Sequence, residues 1–197
     1  MNLEICLATS NAGKLREYRE ILAPMGYVIY SPKDLGIASD PIENGTTYRE
    51  NALIKARDLA SKVPFPVLSD DAGLEIAALG GAPGIHTARF AKEHGGYTGA
   101  VEAILSELKG KEDRSARFVC CICYLSSPTA KPLYFEGVCP GSILDAPVGE
   151  HGFGYDPLFH SSEAHADFGT ASEEIKNRYS HRGKAIKALG LYLSIKE

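Results

Sequence analysis

The sequence predicts an α/β fold, and three observations carry that reading. An apolar run from Leu3 to Ala8 passes through a polar turn into a helical pattern. That pattern stops at Pro24-Met25-Gly26, and Tyr27 to Tyr30 then reads as a second strand, giving a β-α-β start. Further strand-like runs (66–69, 114–125 and 133–139) are interleaved with helical patterns at 47–62, 97–109 and 180–194. An acidic pair, Asp70-Asp71, directly follows one of the strand-like runs, and the carboxyl ends of strands are where α/β folds place their chemistry. The 197 residues suffice for a single domain, 1–197, with a sizeable core and two lobes built from non-contiguous segments.

Composition excludes several classes. A hydrophobic content of 44% and a charged content of 23% belong to a globular protein in water. A net charge of −4 gives no global attraction for nucleic acid or acidic membranes, so a polyanionic ligand would need a local basic site. No apolar stretch is long enough to span a bilayer and no basic leader opens the chain, so a cytoplasmic location is expected. Cys120 and Cys123 have C-x-x-C spacing, but they sit on a strand-like run where residues three apart face opposite ways. With no second pair to complete a zinc site, the five cysteines read as reduced, buried thiols.

The first turn is Thr9, Ser10, Asn11, Ala12, Gly13 and Lys14. Leu15, Tyr18, Ile21 and Leu22 follow as one helix face, which puts Lys14 in the first turn. Free N–H groups and the positive end of the helix dipole suit an anion there, and Lys14 adds a full charge. The stretch is not a P-loop, which requires Gly at position 8 and Ser or Thr after the lysine; here those are Ala8 and Leu15. Two readings stand: a phosphate cradle, or an ordinary turn with Asn11 as N-cap. A loop from Ser31 to Gly45 carries Glu43. Thr47 and Glu50 then have capping-box spacing. Asn51 and Lys55 stack on one flank of the helix that follows, where a lysine beside an apolar stripe ordinarily snorkels to water.

The pair Asp70-Asp71 reads as oxygen ligands for a hard cation, or else as a solvated turn. Gly80 to Gly84 is a loop, Arg89 stands isolated, and Tyr97 to Lys109 is a helix ended by Gly110. Residues 114–125 and 133–139 read as a hairpin. In the glycine-rich stretch 147–160, Phe153 and Tyr155 flank Gly154, with Asp156 next. Aromatics there can form a slot for a flat base, or can be the loop's own small core. Ser180 caps a final helix whose first turn holds His181 and Arg182. Basic residues oppose the dipole there, so that start needs an anion or a task.

Six stretches together resemble the inosine triphosphate pyrophosphatase family: Ala8 to Lys14, Glu50 to Ala56, Ser69 to Leu74, Gly80 to Ile85, Gly152 to Pro157, and Ser180 to Arg182. They fall in the family's order and cover essentially the whole chain. The resemblance implies a long, curved mixed β-sheet with surrounding helices and a nucleotide cleft between two lobes. It implies Mg²⁺-dependent hydrolysis of non-standard purine nucleoside triphosphates (ITP, dITP, XTP) to monophosphate and pyrophosphate, by a homodimer that binds neither nucleic acid nor membrane. By the same resemblance, Thr9 to Lys14 and Lys55 hold the triphosphate, and Glu43 and Asp71 hold Mg²⁺, with Asp71 also the general base. Phe153, Gly154, Tyr155 and Asp156 frame the base; Lys176, His181 and Arg182 read its edge or bind alongside. The family's usual Ser after the second Asp is Ala72 here, leaving only a backbone N–H for that substrate contact. Two alternatives are a related pyrophosphatase for modified pyrimidine nucleotides and a non-catalytic nucleotide-binding regulator. The His181-Arg182 pair argues against the first, and the three acids Glu43, Asp70 and Asp71 against the second.

Overall fold

The structure is a computed structural model describing residues 3–195. Seven strands form one mixed sheet: β1 (Leu3–Leu7), β2 (Tyr27–Tyr30), β3 (Val67–Ile76), β4 (Ser115–Leu125), β5 (Leu133–Ile143), β6 (Phe159–Ser161) and β7 (Ala166–Asp167). Their order across the sheet is β2-β1-β3-β4-β5-β6-β7. β1 is parallel to both β2 and β3, with Leu3 opposite Tyr27 and Cys6 opposite Val67, while β6 is antiparallel to β5 and β7. The α-helices are α1 (Ala12–Leu22), α2 (Tyr48–Ala60), α3 (Thr87–Glu93), α4 (Tyr97–Glu107), α5 (Glu173–Tyr179) and α6 (His181–Ile195). The α/β class and the β-α-β start are as the sequence predicts.

The chain divides into two compact units, one of residues 1–71, 120–137 and 182–197, the other of 72–119 and 138–181. In the first, the sequence pattern of α2 sets its packing. Ala52, Ala56 and Leu59 lie on one face and are fully buried against Cys6, Val67, Cys123 and Leu125. Two alanines on that face let the helix approach β3 closely enough for the Ser69 hydroxyl to donate to the Ala52 carbonyl at 2.5 Å. Thr47 caps α2 by accepting from Glu50 N–H at 3.2 Å. The Glu50 carboxylate returns to Thr46 N–H at 2.6 Å, one residue earlier than a standard capping box. In the second unit, Leu74, Ile76, Ile104, Leu108, Phe159 and Phe168 are fully buried in one core, with the Phe118 ring tilted against Phe159 at a centroid distance of 4.5 Å.

Three elements differ from the expectation. β3 does not end at Ser69; it is ten residues long and continues through Asp70-Asp71 to Ile76. β5 runs on through Pro140 and Gly141 to Ile143, where Gly141 faces Ser161 so closely that a Cβ would strike the His160 carbonyl and the Phe159 ring. The short helices α3 and α5, seven residues each, form where no helix was expected.

Candidate functional site

The turn after β1 is built by its own side chains. Thr9 Oγ1 accepts from Asn11 N–H at 3.1 Å, and Asn11 Oδ1 accepts from Lys14 N–H at 3.1 Å, so Asn11 is indeed the N-cap. The cap reading and the cradle reading are compatible. Among the described bonds, the first-turn N–H groups of Ala12 and Gly13 have no partner, and Ser10 and Ala12 are exposed. An anion placed there would meet donors already aligned.

Asp70 and Asp71 are neighbours in the middle of an extended strand, so their side chains take opposite faces. That placement overturns the solvated-turn reading, because both are buried. Asp70 is 1% exposed and bridges two cations: Lys14 Nζ donates to Oδ1 at 2.9 Å and Arg182 Nε to Oδ2 at 2.6 Å. Arg182 Nη1 also donates to Glu17 at 2.8 Å. Burial alone would raise the Asp70 pKa, but Lys14, Arg182 and Lys55 outweigh it and hold the carboxyl well below the usual range. Glu17, buried on α1, is a member of the cluster that the sequence did not single out. Arg182, expected at the base edge, is 3% exposed and turns these two nitrogens to carboxylates.

On the other face, Lys55 Nζ lies 2.9 Å from Glu43 and 3.4 Å from Asp71. Asn51, one helical turn earlier, donates to Asp71 Oδ2 at 3.1 Å. The ordinary snorkelling expected of a lysine on this face is thus replaced by a double ion pair. Burial pulls the Lys55 pKa down, yet Asp71 and Glu43 outweigh it and leave it raised. Burial raises the Asp71 pKa, with Lys55 and Lys14 offsetting part of that rise. Among the described residues, no group of three or more His, Cys, Asp or Glu converges as a metal cage. Two carboxylates sharing one ammonium do fit Mg²⁺, which is commonly held by one or two carboxylates plus water and substrate phosphates. Their charges with Lys55 sum to −1, which favours a cation. Ala72 follows on β3 and is half-buried.

In the second unit, the residues expected around a base do come together. Lys176 Nζ lies 2.5 Å from Asp156 Oδ2 and 4.3 Å from the centre of the Phe153 ring. Asp156 Oδ2 also accepts from Phe153 N–H at 2.8 Å. The loop can close on this carboxylate because Gly152 has φ 75° and no Cβ, which would otherwise strike Asp156. Phe153 and Gly154 are half-buried, whereas Tyr155 is core: it is 2% exposed, sits edge-on to Tyr97 and donates to Thr87 O at 3.2 Å. The core reading of this loop therefore holds for Tyr155. His181 is buried and stacks on Phe118 with ring centres 4.7 Å apart.

Comparisons with known proteins show the family. The chain is 43% identical over 195 residues to a protein of Treponema denticola named dITP/XTP pyrophosphatase, covering 97% of this chain and 98% of that one. It is 44% identical over 185 residues to another so named from Syntrophobacter fumaroxidans, covering 94% and 79%. Among solved structures, a HAM1 protein from Coxiella burnetii superposes with a TM-score of 0.86 at 36% identity, covering 98% of this chain and 99% of that one. The model of the Ham1 family matches residues 5–192. The chain belongs to the Ham1 family.

Proposed function

We propose that this protein hydrolyses non-standard purine nucleoside triphosphates (ITP, dITP and XTP), releasing the nucleoside monophosphate and pyrophosphate. The observation that carries the reading is Lys55 held between Glu43 and Asp71, in the same unit as the Lys14–Asp70 pair and the open first turn of α1. Phosphoanhydride cleavage depends mainly on positioning and charge neutralisation, and this arrangement supplies both. Thr9, Ser10, Asn11 and the N–H groups of Ala12 and Gly13 cradle the phosphates; Lys14 and Lys55 offset their charge. Glu43 and Asp71 hold Mg²⁺. Bound there, the ion would neutralise phosphate charge and lower the pKa of water. The Asp71 carboxylate takes a proton from the attacking water. Water's oxygen ends on phosphorus as the bond between the α and β phosphoryl groups breaks. The Ala72 N–H replaces the hydroxyl that a serine would offer.

The base roles fall to Phe153, Gly154, Tyr155 and Asp156, with Lys176, His181 and Arg182 supplying cationic and ring N–H donors. Hypoxanthine and xanthine present O6 as an acceptor to such a donor, whereas adenine presents an amino donor that would face a donor with no acceptor between them, a costly mismatch in a buried site. We also place the protein in the cytoplasm as a homodimer. Five free, buried cysteines support the reducing compartment. Leu191 and Ile195, 68% and 83% exposed on α6, support a partner surface. No described helix is long and apolar enough to cross a membrane. The test is pyrophosphate release with and without Mg²⁺ from ITP, XTP, GTP, ATP and a modified pyrimidine triphosphate. Preference for ITP and XTP supports the reading; preference for the pyrimidine, or binding without release, overturns it.

A further inference from the structure

Asn51 is 4% exposed and makes two hydrogen bonds to two separate parts of the chain. Its Oδ1 accepts from the Gly45 N–H at 2.9 Å, and its Nδ2 donates to Asp71 Oδ2 at 3.1 Å. The orientation of the amide is fixed by chemistry, since an N–H can meet only the oxygen and a carboxylate only the NH₂. One turn later on α2, Lys55 spans the same two segments, joining Glu43 to Asp71 Oδ1. The helix thus crosses from the 43–45 loop to β3 twice, with one neutral bridge and one charged bridge. A phosphate or a metal ion competes for the charged bridge. The neutral bridge has both ends satisfied and persists whatever Lys55 does.

We infer that Asn51 is a positioning residue for the divalent cation, locking the Asp71 carboxylate and the Glu43 loop in one arrangement through a single buried amide. This rests on the reading that Glu43 and Asp71 hold the metal. By engaging Oδ2, Asn51 stops rotation of the Asp71 carboxylate and leaves Oδ1 on the side of Glu43 and Lys55. Through the Gly45 N–H it sets how near the Glu43 loop lies. Gly45 is part of the device: a Cβ there would lie 2.6 Å from Asn51 Oδ1 and 2.7 Å from Glu50 Cβ, so any side chain pushes the loop off the amide. Mg²⁺ tolerates little departure from octahedral geometry, and losing a group that orients a metal ligand typically costs roughly 10–100-fold in affinity.

The test titrates Mn²⁺ into the full chain without nucleotide, reading free Mn²⁺ by electron paramagnetic resonance, for wild type, Asn51→Ala, Gly45→Ala and Glu43→Gln. Circular dichroism checks folding, and ITP binding in EDTA is measured in parallel. Asn51→Ala and Gly45→Ala are each expected to weaken Mn²⁺ binding roughly 10–100-fold, leave ITP binding in EDTA unchanged, and regain activity as Mg²⁺ is raised. Gly45→Ala removes no side chain and decides the matter if Asn51→Ala does not fold. Wild-type Mn²⁺ affinity in the folded Asn51 or Gly45 variant, with affinity lost in Glu43→Gln, overturns the role of Asn51 and keeps the metal assignment. Wild-type affinity in Glu43→Gln overturns the metal assignment itself, and this inference with it.

Discussion

Replacing Asp70 by Asn should destabilise the protein more than it disturbs any surface. Asp70 joins Lys14 at 2.9 Å and Arg182 at 2.6 Å, and Arg182 continues to Glu17 at 2.8 Å. The four charges cancel. The amide keeps the volume but leaves the cluster with an excess positive charge; Lys14, 19% exposed, can turn to water, whereas Arg182, 3% exposed, cannot. Breaking a buried pair on one side costs about 3–5 kcal/mol, a large share of the roughly 5–15 kcal/mol that holds a domain together. At roughly 2–4 °C per kcal/mol for a chain of this size, Tm should fall by about 6–20 °C. The pH dependence has a definite sign. The folded pKa of Asp70 is depressed, so its contribution is fully present above the unfolded value of about 3.9 and is lost as pH falls toward the folded one. The Tm gap between wild type and Asp70→Asn should therefore stay constant from pH 8 to about 5 and narrow only below about pH 4. Circular dichroism melts across that range decide it. A Tm within about 2 °C of wild type at pH 7, or a gap that closes by about pH 6, refutes the claim that this cluster is a paired, buried network.

Lys14→Ala and Lys55→Ala should each lower kcat/KM for ITP by roughly 10–150-fold, the value of a charged hydrogen bond of about 1.5–3 kcal/mol; steady-state kinetics like wild type would remove that lysine from the site. The five cysteines should be silent to a thiol reagent in the native protein at pH 8 and should all react in guanidinium chloride. Burial pushes the Cys6 thiol up to about 11 and, acting first among the causes, Cys121 and Cys123 up to about 12. Stability from these thiols is intact below the unfolded pKa of about 8.5 and declines as pH rises through the folded values, which melts between pH 8 and 11 would register. A native thiol reacting at the unfolded rate would contradict the packing of the strand that carries it, β1, β4 or β5.

What the sequence revealed was local. The Asn11 and Thr47 caps, the stop at Gly26 and the interleaving of strands with helices each depend on residues within one turn of each other, and each is realised. Asp70-Asp71 read as a possible turn because the cations that neutralise Asp70 stand 56 and 112 positions away, beyond any local pattern. Glu17 was passed over for the same reason: only the fold shows that an acid on α1 faces Arg182. α5 did carry a signal, Ser172 followed by Glu173 and Glu174 at a helix start, but its seven residues give too little periodicity to register. Pro140-Gly141 reads as a strand end, yet β5 continues because Gly141 allows the close approach of β6. The Asn51 and Lys55 spacing was visible in advance; that both reach Asp71 was not.

The most direct measurement is pyrophosphate release from ITP at saturating Mg²⁺ by Asp71→Asn beside wild type, with ITP binding measured separately. The change preserves size and the bond from Asn51, so the variant should fold and bind ITP, while turnover falls by at least the roughly 10²–10⁴-fold that a positioned base supplies. Asp70→Asn, whose cost falls on the buried cluster, should retain more turnover than Asp71→Asn once folded. Near-normal release by Asp71→Asn, with Asp70→Asn inactive though folded and ITP-bound, would contradict the account by placing the chemistry on the other face of β3.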